Sequence, residues 1–135
     1  WSEEIEGNTT QRGDIYLYHY KDIHYCKIEL KEIIPGKKVL WQVLENFFNF
    51  IKDEKEWVGT QIIFEIQERN GVTELTFTHQ GLVPQYECYG VCEEAWTNYI
   101  QNSLQNLIKT GKGNPNPKEG EGYNTELARK WKLEP

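Results

Sequence analysis

In five runs between residues 14 and 79 the apolar side chains recur at every second position, and from residue 87 they recur at every third and fourth. Period two places alternate side chains on opposite faces of a strand, whereas spacing of three and four stacks them on one side of a helix. The chain therefore reads as a series of strands followed by one long helix. Strands joined by short polar breaks pair antiparallel, because a parallel neighbour needs a crossover of a dozen or more residues. The resulting class is α+β, with antiparallel hairpins packed on a single C-terminal helix.

The breaks support this order. Residues 1–12 are polar and acidic with a Gly-Asn-Thr-Thr cluster, and read as a loop behind an anchoring Trp1. Asp14 to Tyr20 puts Ile15, Leu17 and His19 on one face and Tyr16, Tyr18 and Tyr20 on the other, giving a strand with one aromatic face. After Lys21-Asp22 the run Ile23 to Ile34 turns His24, Cys26, Ile28 and Leu30 inward, and Pro35-Gly36 suits a type II turn into Val39 to Leu44. Residues 45–56 mix Phe47, Phe48 and Phe50 with charge and read as a loop. Trp57 to Gln67 and Val72 to His79 flank Asn70-Gly71, a strong hairpin signal, so Ile62, Phe64 and Ile66 should share a face with Leu75, Phe77 and His79.

From Glu87 to Thr110, Val91, Cys92, Ala95, Trp96, Tyr99, Ile100, Leu104, Leu107 and Ile108 outline a helix of about 36 Å. Gly111 or Gly113 should cap it, with Lys109 in its last turn and Pro115 beyond. Glu94, Asn98, Gln101 and Gln105 should face water. The Pro/Gly/charge composition of 114–122 marks a linker, and Leu127 and Trp131 stand one turn apart in a short segment that orders on docking. Residues 1–113 are expected to form the domain and 114–135 a flexible or weakly docked tail.

A chain of 135 residues buries roughly two-thirds of its extended surface, and 13% aromatic residues is too many for a disordered chain. The net charge of −6 is spread without a basic stripe, which argues against nucleic acid and anionic membrane as partners. Cys26, Cys88 and Cys92 are odd in number, without zinc-type pairs, so reduced thiols and a cytoplasmic location are expected. No apolar run approaches the roughly 20 residues of a membrane span, and no signal peptide is evident.

The segments WSEEIEG, CKIELKEIIPGKKVLWQV, GTQIIFEIQERNGVTELTFTHQGLV and AWTNYIQNSLQNLIKTGKG occur in this order over residues 1–113. Together they resemble the START-like (SRPBCC) superfamily, in the branch similar to the activator of heat-shock protein 90 ATPase. The resemblance implies the helix-grip fold, in which a curved antiparallel sheet wraps a long C-terminal helix around an internal cavity. The family places a strand and a helix ahead of the tryptophan motif that Trp1 matches, and the chain contains no Met. A longer native polypeptide is expected, its first strand at the sheet edge and its first helix over the cavity mouth; a complete chain would instead dimerise through those surfaces.

Within that frame Tyr16, Tyr18, His24, Trp41, Phe64, Phe77, His79, Trp96 and Tyr99 are the candidates for lining the cavity, since small-ligand sites are mostly apolar with a few placed polar groups. Filling the core is the plainer role for the same stripe. Cys88 and Cys92 at i and i+4 with His79 suggest a soft-metal trio, but three ligands without a close-spaced pair fall short of a zinc signature. His79 with His24 and Tyr99 suggests an acid/base group, against the plainer reading of a satisfied structural histidine. The charged runs 52–56 and 119–121 read as solvated surface. No catalytic set, metal site or cofactor motif is identified. The leading expectation is a non-enzymatic domain holding a small apolar or amphipathic molecule. A protein-interaction or co-chaperone-like module, monomeric or dimeric, is the alternative, with Phe47, Phe48 and Phe50 as its patch. A cyclase- or hydratase-like enzyme using cavity polar groups comes third.

Overall fold

The computed structural model describes residues 1–53 and 55–133. Strands β1 (Ile5–Gly7), β2 (Ile15–Tyr20), β3 (His24–Ile34), β4 (Lys38–Phe48), β5 (Gln61–Arg69) and β6 (Val72–Gln80) form one antiparallel sheet in chain order. Tyr16 pairs with Ile28 and Tyr18 with Cys26, and all four are buried, so the aromatic face of β2 is the inner one. Asn70 and Gly71 both have positive φ (51° and 78°), the conformation that a two-residue type I′ hairpin demands. The resulting register sets Ile62 opposite His79, Phe64 opposite Phe77 and Ile66 opposite Leu75, as expected.

The sheet curves because its two longest strands are interrupted. Between β3 and β4 the register shifts at Lys27/Ile28 and again at Leu30/Glu32. Each extra residue bends its strand and increases the local twist, which turns the sheet around whatever packs on its concave face. That element is a long helix built from α1 (Tyr89–Thr97), a π-helical stretch (Asn98–Leu104) and α2 (Gln105–Thr110). Gly111 ends it in the left-handed conformation, its N–H donating to the Leu107 carbonyl at 2.9 Å. The architecture is the α+β helix-grip fold.

Several local expectations need correction. Residues 1–12 contain β1, which pairs with β2, and Trp1 packs on Tyr18 with ring centroids 4.3 Å apart. β4 runs on through Phe48, whose ring is buried, while Phe47 is only about a third exposed. Residues 57–60 are a turn and not a strand: Gly59 N–H donates to the Val43 carbonyl and Val43 N–H to the Thr60 carbonyl, each at 3.0 Å. The helix's inner face carries Val91, Cys92, Trp96, Tyr99 and Ser103, but Leu107 and Ile108 are 49% and 67% exposed. Ile108 lies beside Thr73 and Leu75 of the edge strand β6, where no further strand covers it. Glu94 and Asn98 are half-buried, because the C-terminal segment packs back beside them at Tyr123.

After the helix the chain returns to its start. Glu3 N–H donates to the Asn116 carbonyl at 2.8 Å and Asn116 N–H to the Trp1 carbonyl at 3.0 Å, and α3 (Tyr123–Trp131) lies against α1. Asn116, Asn124, Thr125, Leu127 and Ala128 are buried there. Among the described residues no helix is long and apolar enough to cross a membrane.

The run 52–56 is not uniformly solvated. Glu54 lies outside the described residues, and Glu56 is 6% exposed. Its carboxylate accepts from the backbone N–H groups of Glu87 (2.9 Å) and Cys88 (3.1 Å), at the start of α1. In return Glu87 Oε1 accepts from Lys52 N–H and Asp53 N–H at 3.1 and 3.3 Å. Glu87 and Cys88 stand immediately ahead of α1, so Glu56 pins the entry to the helix from a distant loop and sets a negative charge near its positive end. Glu56→Ala is expected to lower stability by about 1 to 3 kcal/mol, chiefly the cost of leaving the buried Cys88 N–H unpaired. Urea denaturation of the two proteins checks this; an unchanged midpoint would show that the contact contributes nothing.

Candidate functional site

The interior of the grip is aromatic because the inner faces of β2, β3 and the long helix converge on one end of the sheet. Trp57, carried there by its turn, is the hub. Its ring stacks on Trp96 (5.8 Å, 16°) and meets the rings of His24, Phe48 and His79 edge-on at 4.9, 5.3 and 4.8 Å. These are the offset and edge-to-face arrangements that aromatic quadrupoles favour. Between this cluster, Trp1 and α3 lies a cavity of about 60 Å³, walled almost wholly by apolar atoms.

Four of the residues singled out from sequence, Tyr18, His24, Trp96 and Tyr99, line that cavity. Phe77 and His79 touch Trp96 from the other side and open on a groove at the β6 edge. Tyr16, Trp41 and Phe64 form a ring chain farther along the sheet, with centroid separations of 5.6 and 4.9 Å, outside the cavity. Trp1, Trp57, Asn124 and Leu127 belong to the lining without being among the sequence candidates.

The two histidines are held apart, His79 by both ring nitrogens and His24 by its Nε2. Thr60 Oγ1 donates its proton to the Trp57 carbonyl at 2.6 Å, so it accepts from His79 Nε2–H at 2.8 Å. Trp96 Nε1–H donates to His79 Nδ1 at 3.1 Å, which fixes the neutral tautomer. Burial pushes the His79 pKa down to about 4. His24 Nε2 lies 2.7 Å from Asn46 Oδ1, and burial takes its pKa down to about 3 despite that bond. Tyr99 bonds to neither. The acid/base trio therefore does not assemble, and both ring nitrogens of His79 are engaged away from Cys88 and Cys92. Among the described residues no group of three metal-ligating side chains converges.

A second polar cluster joins the body to α3. Asn124 Nδ2 donates to the Tyr18 hydroxyl at 2.8 Å, and the Tyr99 hydroxyl donates to Asn124 Oδ1. Asn116 Nδ2 donates to the Tyr99 hydroxyl at 3.1 Å, while its Oδ1 accepts from Asn124 N–H at 2.8 Å. Burial holds both phenols well above their usual pKa, and does the same to the Cys26 and Cys92 thiols. Cys26, Cys88 and Cys92 are unbridged, as expected. Burial thus favours the protonated form of the Cys26 and Cys92 thiols and of the Tyr18 and Tyr99 phenols, and the neutral form of both imidazoles.

These features define a helix-grip binding domain in which Tyr18, Tyr99, Asn116 and Asn124 are hydrogen-bonded to one another, whereas the Tyr20 hydroxyl, beside the cavity, is buried without a partner among the described residues. The chain belongs to the activator of Hsp90 ATPase homolog 1-like protein family, whose model matches residues 3–109. The solution structure of the Aha1 dimer from Colwellia psychrerythraea is similar in fold, with a TM-score of 0.64 and 23% sequence identity, over 84% of this chain and 78% of that one. No curated protein matches the chain.

Proposed function

We propose that this is a co-chaperone-like domain that binds a protein partner, an Hsp90-type chaperone, through its surface, and modulates that partner's ATPase. The observation that carries the reading is the filled interior: about 60 Å³ between sheet and helix. Pockets that enclose small molecules usually run from about 300 to 1,000 Å³, and 60 Å³ accommodates a few waters at most. Family membership supports the same reading, since its description names activation of an Hsp90 ATPase. Adding the purified chain to an Hsp90-type chaperone should raise its ATP turnover severalfold and give a saturable calorimetric titration. A flat titration at concentrations near 100 times a micromolar Kd, taken as an order-of-magnitude ceiling for a weak partner, would overturn it.

A second reading, a small apolar or amphipathic ligand in the cavity, is favoured by one observation: the walls formed by Trp1, Tyr18, Trp96 and Tyr99 are aromatic and almost without polar surface. Such a ligand has to move α3, which supplies Asn124 and Leu127 to the lining. A cyclase- or hydratase-like activity has less support, because the cavity histidine His24 stays neutral and bonded to Asn46.

A further inference from the structure

We infer that α3 is a self-ligand seated in a helix-binding groove, and that an amphipathic helix of a protein partner, presenting a side-chain amide and a leucine one turn apart, takes its place. The inference deepens the protein-binding reading and rests on it. The groove has a floor, the rings of Trp1, Tyr18, Trp96 and Tyr99, and a wall, the side of α1 that carries Gly90 and Glu94. α3 meets it with one stripe. Tyr123 packs edge-on against Tyr99 at 5.7 Å, Asn124 and Leu127 reach the cavity, and Ala128 is buried. Glu126 and Arg129 are exposed on the opposite side. Residues at i, i+1, i+4 and i+5 form the face that an amphipathic helix lays into a groove.

Recognition is built into both ends. The Asn124 amide is read by two phenols, donating to the Tyr18 hydroxyl and accepting from the Tyr99 hydroxyl, so the site tests for a group with both a donor and an acceptor. At the far end the Glu94 carboxylate accepts from Lys130 Nζ and from Trp131 Nε1–H (2.6 Å). Gly90 lets the Trp131 ring approach α1, since a Cβ there would lie 3.0 Å from Trp131 Cη2. An incoming helix thus needs an amide, a Leu three residues later and an Ala after it, with an aromatic and a cation near its end.

The seat is exchangeable on physical grounds. A helix of nine residues is too short to persist alone in water, so α3 unfolds whenever it undocks. The join is partly a polar network and not a dry core, and only the six residues 117–122 separate α3 from the anchored Asn116, so the tether is short. A short flexible tether gives an effective concentration in the millimolar range, so a partner helix displaces α3 only by binding better than that.

The probe is a fluorescein-labelled synthetic peptide of residues 120–133, read by polarisation against the full chain and against full-length Leu127→Glu. Disabling the resident helix should tighten peptide binding by at least about tenfold, the loss of a millimolar intramolecular competitor. A folded Leu127→Glu protein that binds the peptide no better than the parent overturns the inference, as does one that takes up a small hydrophobic dye but not the peptide. Should the variant not fold, hydrogen exchange on the unaltered chain decides. Amides of 124–131 should exchange at least about 100-fold faster than those of β3 and β4, as a unit that opens by itself does, and equal rates overturn the inference. Loss of the peptide effect with chaperone binding intact removes this inference alone; loss of chaperone binding with the peptide effect intact removes the protein-partner assignment above and with it the partner helix, leaving α3 as an exchangeable segment.

Discussion

Trp96→Ala is expected to lower the stability of the fold by about 3 to 5 kcal/mol, the range for deleting a large aromatic from a packed core. Trp96 is 6% exposed and lies within 6.0 Å, ring to ring, of Trp1, Trp57, Phe77, His79 and Tyr99. Its truncation removes the long helix's main contact with the sheet and leaves His79 Nδ1 without its donor. Trp96→Phe keeps one ring in the core while removing the Nε1–H donor and part of the packing, and should cost less than Trp96→Ala. Denaturant midpoints of the three proteins provide the test. A Trp96→Ala protein as stable as the parent would show that the helix is not held to the sheet through this side chain.

The second large effect is acid lability above the range where carboxylates titrate. Burial depresses the folded-state pKa of His79 to about 4 and of His24 to about 3, against 6.5 for each when exposed. Because both values are lowered on folding, the stabilisation is complete above pH 6.5. It declines as the pH falls from there, since the unfolded chain takes up protons that the folded chain refuses, and it is exhausted only below pH 4 for His79 and pH 3 for His24. At about 1.4 kcal/mol per pK unit this is on the order of 3 kcal/mol for His79 and about 5 kcal/mol for His24. Urea midpoints between about pH 6.5 and 4.5 should therefore fall steadily, and His79→Gln should flatten the slope. A stability profile flat over that window would mean that the rings take up protons in the folded state.

The hairpins and the long helix are legible in the sequence because each depends on local chemistry: alternation in β2 and β3, Asn70-Gly71 between β5 and β6, and Gly111 at the helix end. What escapes is set by distant partners. Glu56 sits in a charged run and looks solvated, yet its ligands are backbone N–H groups more than thirty residues later. Asn116 and Asn124 lie among Pro, Gly and charge, and their burial depends on Tyr18 and Tyr99. Leu107 and Ile108 keep the helical period but extend along the uncovered edge of β6, so periodicity alone overstates the inner face.

The candidate site is half legible for a geometric reason. Period two identifies the face of a strand but not the distance along it. Tyr16, Trp41 and Phe64 are on the aromatic side with Tyr18 and His24, yet the cavity occupies only the end of the sheet where Trp1, Trp57 and α3 close it. Trp57 escapes because it stands in a turn that reads as a strand, and nothing in its sequence neighbours signals that four rings meet it.

The difference between a surface that binds a protein and an interior that binds a small molecule is visible residue by residue in the amide spectrum. An isotope-labelled sample of the chain titrated with an Hsp90-type chaperone should show saturable shifts or broadening on its outer surfaces, including Gly90, Glu93, Glu126, Arg129 and Trp131. A panel of small amphipathic molecules should leave Tyr18, His24, Trp96 and Tyr99 unmoved. No response to the chaperone, together with saturable shifts of those four residues on adding a small molecule, would contradict the protein-binding role and return the function to the cavity.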